Sequence, residues 1–225
     1  MILSSNHPHM KYTRLLLAFL LLPLLSNAQI GLSSASPIDV DLGLKVGANF
    51  AKLDGNTWDN GYKAGFLGGI YGSIHTKKVG IQVEGLFSQS NYQTGGTEFY
   101  KVYKGVPGFF RNIADSAKQG DITVSHFSIP VLLTFKLFSN AWVQLGPQYS
   151  GIISVNDKDD MLNDARGLFG NGDFSGVMGV WLNLPVGLNA GARYIIGFSD
   201  QRNSAALSEA WKNRMIQLHI GYNIF

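Results

Sequence analysis

The chain contains no cysteine, which excludes a disulfide framework and a thiolate metal centre. Charged residues make up only 15% of its 225 residues, sparse for a soluble enzyme. An apolar run long enough for a membrane-spanning helix is missing too. The run at residues 15–25 is about half of the roughly 20 residues such a helix needs. Lys11 and Arg14 precede that run and Ser26, Asn27 and Ala28 follow it, so residues 1–28 are expected to be a cleavable secretory signal peptide. The absence of Lys and Arg before Met10 makes Met10 an alternative start. Removing Lys11 and Arg14 from the 18 basic residues leaves 16 against 15 acidic ones. A nearly neutral chain lacks the clustered cations that bind phosphate backbones, so nucleic acid is not an expected partner.

Glycine (27 residues) and aromatic residues (12%) are plentiful instead, which suits tightly curved strands with large anchoring rings. After a short lead at residues 29–38, alternation of apolar and polar residues runs through residues 39–225 as one domain. Val40, Leu42, Leu44, Val46, Ala48 and Phe50 oppose Asp41, Gly43, Lys45, Gly47 and Asn49. The pattern recurs in segments led by Tyr62, Val79, Phe127, Ala141, Phe174, Val186 and Ile216, which makes eight strands. Connections alternate between tight turns near residues 76–79, 139–141 and 184–187 and longer stretches near 53–61, 94–120, 155–173 and 199–214. Short turns on one rim and long loops on the other predict an all-β, eight-stranded antiparallel up-and-down transmembrane β-barrel.

A soluble periplasmic barrel would turn its apolar face inward around a ligand. Eight strands with five or six apolar side chains each would place on the order of 40 of them in an interior that side chains alone nearly fill. The apolar face is therefore expected outward, and closure pairs every strand edge. Phe50, Tyr62, Phe127, Phe138, Tyr149, Phe174, Phe198 and Tyr222 stand near strand ends as candidate interfacial girdles. On the inward face, Lys45, Lys63, Glu84, Lys136 and Arg193 are expected to form a lumen charge network, because a buried Glu84 needs a cation. Pro130 cannot donate to a ladder, which predicts a bulge there.

His126 and Ser128, two apart on one face, are the candidate base and nucleophile of a lipid hydrolase. No orienting acid or oxyanion donor accompanies them at motif spacing, so no catalytic residue is assigned. Asp157, Asp159, Asp160 and Asp164 lack the glycine and terminal glutamate of an EF-hand loop. They are read as a solvated short helix ending at Gly167, and neither a metal nor a cofactor is expected. Phe99, Tyr100, Tyr103, Phe109, Phe110 and Arg111, with Lys101 and Lys104, form the candidate partner-binding loop; the alternative is that these rings extend the flanking strands. Residues 203–214 read as a capped helical turn with Leu207 and Trp211 available to pack.

The segments LGLKVGANFAKLDG, FSIPVLLTFKL, VQLGPQYSG and LHIGYNIF, in that order, resemble the PorT-like outer-membrane β-barrel proteins of the Bacteroidetes across residues 39–225. The resemblance implies residence in the outer membrane, contact with its lipid, and assembly by the barrel-assembly machinery. One group of that family is associated with the type IX secretion and gliding apparatus. The terminal aromatic Phe225 resembles the signal read by the assembly machinery but falls out of phase with Ile224, Tyr222 and Ile220. The leading expectation is a structural or partner-binding barrel without enzymatic activity.

Overall fold

In the computed structural model, residues 38–111, 118–203 and 210–224 are described. The expected signal peptide, the lead as far as residue 37, Leu207 and Phe225 lie outside them. Eight strands follow in order: β1 (Asp39–Asp54), β2 (Lys63–His75), β3 (Val79–Gln93), β4 (Asp121–Lys136), β5 (Ala141–Asp157), β6 (Gly172–Asn183), β7 (Leu188–Gly197) and β8 (Lys212–Asn223). Each pairs antiparallel with its sequence neighbour, and β8 closes on β1 to complete the barrel. Connections at residues 76–78, 137–140 and 184–187 lie on one rim; those at 55–62, 94–120, 158–171 and 198–211 lie on the other. The expected topology is the observed one.

Alternation separates the two surfaces as expected. Val46, Leu133 and Ile220 are 55%, 51% and 58% exposed, whereas Lys45, Glu84, Gln144 and Arg193 are buried inside. A soluble ligand carrier needs the opposite facing, so that reading is excluded by the wall itself. Toward the long loops, however, the polarity inverts. Ala51 and Leu53 of β1, Tyr92 of β3, Ile122 and Val124 of β4, and Met215 of β8 turn inward and are buried. Their outward neighbours are Lys52, Asn91, Thr123 and Arg214. The strands thus continue beyond the apolar belt, which is why β1, β3, β4 and β5 are longer than the sequence pattern predicted.

Inward glycines allow the curvature. A Cβ on Gly69 would stand 2.1 Å from the carbonyl oxygen of Gly85, so a side chain there would force the strands apart. Pro130 interrupts pairing with β3, but the ladder resumes at Leu86 and Ser128 without a slip. The bulge instead falls where Ser125 faces Ser154 and His126 faces Ile152, leaving Ile153 extra in β5. A missing donor breaks one rung; shifting register needs an inserted residue. The insertion exchanges the faces of β5, so that Ile152 and then Val155 both pack against the interior cluster.

Val186 adopts φ 59 and Gly187 φ 78 in the β6–β7 turn. Two successive left-handed residues suit Asn-Gly, and a β-branched residue there is strained. Val186→Asn is expected to raise stability by about 1 kcal/mol, read as a higher urea midpoint for unfolding from lipid vesicles.

Candidate functional site: a filled polar lumen beneath an aromatic cap

The interior is stacked in layers from the short-turn rim upward. At that rim Asp41 pairs with Nδ1 of His75 at 3.2 Å and accepts hydrogen bonds from Asn223 Nδ2 (3.2 Å) and Ser73 Oγ (3.3 Å). The His75 ring lies 4.8 Å from that of Trp142, and Lys136 Nζ stands 5.6 Å from the Trp142 ring. Asp41, His75, Lys136, Trp142 and Asn223 line a vestibule of about 430 Å³. Above it Tyr71 hydrogen-bonds Asn223, accepts from Asn189 Nδ2 at 2.7 Å and meets Trp181 edge-on.

The next layer holds the charges. Arg193 donates NH1 to Glu84 Oε2 at 2.8 Å and NH2 to Oε1 at 2.6 Å, and Lys45 Nζ donates to Oε1 at 2.6 Å. Gln82 also donates to Glu84, while Gln144 accepts from Arg193 Nε (2.9 Å) and donates to Gln82 (3.1 Å). The side chains of the three charged residues are at most 1% exposed. Of the five residues expected in this network, the structure brings together Lys45, Glu84 and Arg193. Lys63 is held near the upper rim by Asp59 (3.4 Å) and Gln93 (2.7 Å), and Lys136 belongs to the vestibule. Both have the inward parity, but strand length places them beyond reach of Glu84.

A hydroxyl and amide layer follows. His126 Nε2 bonds Ser90 Oγ at 2.9 Å. Ser128 Oγ bonds Ser150 Oγ at 2.8 Å, and Ser150 in turn accepts from Gln148 Nε2 at 3.0 Å. The candidate base and nucleophile are therefore each engaged by a different strand, His126 by β3 and Ser128 by β5. A void of about 10 Å³ among these groups is room for one water at most.

The top layer is aromatic. Trp58, Tyr92, Phe99, Phe169 and Trp211 are buried together, with Trp58 and Trp211 edge-to-face at 5.0 Å. The loop at residues 94–120 forms a short helix, α1 (Thr97–Tyr103), rather than extending the strands. Phe99 and Tyr103 insert into the cluster, and Phe109 stacks on Tyr103 at 4.0 Å. Phe110 bridges to Leu162 of the 158–171 loop, and Arg111 pairs there with Asp160 at 2.7 Å. Thus most of the rings expected at a binding surface build the cap instead; Tyr100 remains half-buried at its edge. What the cap exposes is Val102 and Val106, beside a hollow of about 500 Å³ that also involves Pro107, Asn163 and Leu168.

The acidic loop residues cap backbone rather than converge. Asp157 accepts from the Leu162 N–H (2.8 Å), Asp159 from that of Asp121 (2.7 Å) and Asp164 from that of Gly167 (2.8 Å). The only helical turn there is the 3₁₀ segment Arg166–Leu168, and no metal-holding cluster occurs among the described residues. Trp211 is fully buried. Its backbone N–H donates to Asp200 at 3.0 Å, as does Arg202 Nε at 2.8 Å. Partial burial pushes the Asp200 carboxyl up, but the bonds from Arg202 and from the Trp211 backbone outweigh it and hold the carboxyl below its ordinary 3.8. Its stabilising contribution is therefore complete above about pH 4 and is lost as pH falls through the lowered value. Asp200→Asn is expected to remove that acid-dependent step from the Trp211 fluorescence titration.

Residues 27–203 match the family described as outer membrane protein beta-barrel domain. Among solved structures, the chain is similar to Neisserial surface protein A, with 12% identity, 83% of this chain and 99% of that one covered, and a TM-score of 0.51. It is similar also to Ail, the attachment invasion locus protein of Yersinia pestis (14% identity, 83% and 99% covered, TM-score 0.46). A third is the outer membrane protein OprG of Pseudomonas aeruginosa (14% identity, 84% and 96% covered, TM-score 0.40). No curated protein matches.

Proposed function

Because the chain belongs to the outer membrane protein beta-barrel domain family, we propose that it is a non-catalytic outer-membrane barrel that engages a protein partner through its long-loop cap. One observation carries this reading. Arg111–Asp160 and the Phe110–Leu162 bridge tie two long loops into a fixed platform, on which Val102 and Val106 are 43% and 48% exposed beside the 500 Å³ hollow. Rigid presentation of apolar side chains lowers the ordering cost of association. The filled lumen argues against solute passage, and the separate engagement of His126 and Ser128 argues against acyl hydrolysis. The PorT-like motifs support a secretion-apparatus component as the partner, residues 1–28 as the export signal, and insertion by the barrel-assembly machinery.

The test is photo-crosslinking in intact cells from position 106, with position 133 on the lipid face as reference. A discrete protein adduct from 106 alone is expected. Adducts of the same composition from both positions would defeat the proposal.

A further inference from the structure

Outward side chains of β1 and β8 carry the even numbers. Below the polarity inversion these are Ala48, Phe50, Ile216 and Leu218. Above it they are Lys52, Asp54, Lys212 and Arg214, and the register sets Lys52 opposite Arg214 and Asp54 opposite Lys212. Three cations and one carboxylate leave a charge of +2 on adjoining outward positions. Asp54 is shared: Oδ1 lies 3.2 Å from Lys52 Nζ and Oδ2 accepts from Arg214 Nε at 2.8 Å. Arg214 meets Asp54 through Nε with its side chain 23% exposed, and Lys212 is exposed. Lys52 Nζ also stands 5.5 Å from the Tyr62 ring.

Position around the wall and depth both select the occupant. The corresponding outward positions are Gln89, Asn91 and Gln93 on β3, Asp121, Thr123 and Ser125 on β4, and Ser154 and Asn156 on β5. Those carry hydroxyls, amides and one carboxylate; the cation beside them, Lys158, is a single charge whose Nζ donates to Asn91 at 3.4 Å, whereas β8 and β1 bring three cations together. Arg214 is two residues above Ile216, about 7 Å along the strand. That lifts the guanidinium out of hydrocarbon, where it is costly, into the headgroup layer, where phosphate lies. The apolar strip of Phe50, Ile216 and Leu218 directly beneath continues the lipid-facing belt and can carry acyl chains.

We propose that Lys52, Lys212 and Arg214 form a binding site for the headgroup phosphate of an outer-leaflet lipid. The guanidinium takes phosphate oxygens through paired N–H groups, and the two ammonium groups supply point charges on either side.

Native mass spectrometry of the detergent-solubilised barrel tests this with dioleoyl phosphatidic acid, dioleoylglycerol and inorganic phosphate as probes. Phosphatidic acid should be retained at least about tenfold better than dioleoylglycerol, and Lys212→Gln should weaken retention about fivefold. The combined Lys52→Gln, Lys212→Gln and Arg214→Gln variant should abolish it, while Lys77→Gln with Lys78→Gln at the short-turn rim should not matter. If the combined variant does not fold, the single Lys212→Gln result decides. Equal retention of the two lipids, or no loss in Lys212→Gln, overturns the site. Inorganic phosphate binding as tightly as phosphatidic acid would make it a free-anion site and overturn the lipid assignment.

Discussion

Val131→Arg is expected to impede insertion by about 2–4 kcal/mol. Val131 is 43% exposed on the outer wall, midway along the apolar stretch of β4 from Phe127 to Phe135. A guanidinium there must either desolvate or thin the bilayer. Phe138→Arg, at the 67% exposed tip of the β4–β5 turn, should cost no more than about 1 kcal/mol because it meets headgroups. Urea titration of folding into vesicles, followed by the heat-dependent gel mobility of closed barrels, measures both. Equal penalties would contradict the outward assignment.

Glu84→Gln is expected to destabilise the barrel by roughly 3–5 kcal/mol, since it strands Lys45 and Arg193 in the interior without an anion. The asymmetry is the informative part. The trio carries two cations and one carboxylate, so Lys45→Met leaves the two-pronged Glu84–Arg193 pair neutral and satisfied. That variant should fold with little loss. A large loss in Lys45→Met together with a small one in Glu84→Gln would show that Lys45 acts through packing against Trp181, 4.6 Å away, rather than through charge.

The membrane-embedded part of each strand was legible because a two-residue period places Val40 through Phe50, or Phe127 through Leu137, on one side of an extended chain. Charge pairing was legible only as a need. Parity made five residues eligible, but reach depends on height, and that requires the register. The upper third was hidden for a different reason. In the stretch DITVSHFS the apolar residues Ile122 and Val124 are even and Phe127 is odd, which reads as broken alternation. It is unbroken strand in which oil and water have exchanged sides. The cap was obscured likewise, since Trp58, Phe169 and Trp211 come from separate loops and no spacing rule links them. Burial of Trp58, Phe99, Phe169 and Trp211 depends on the barrel mouth, which only the closed fold supplies.

The vestibule at the short-turn rim has a consequence for how the molecule meets its two surroundings. Small solutes beneath the membrane can approach Asp41 and His75, whereas above it the described residues present packed rings over the same axis. Among the described residues, the barrel axis is thus hollow at the short-turn rim and filled by side chains above it.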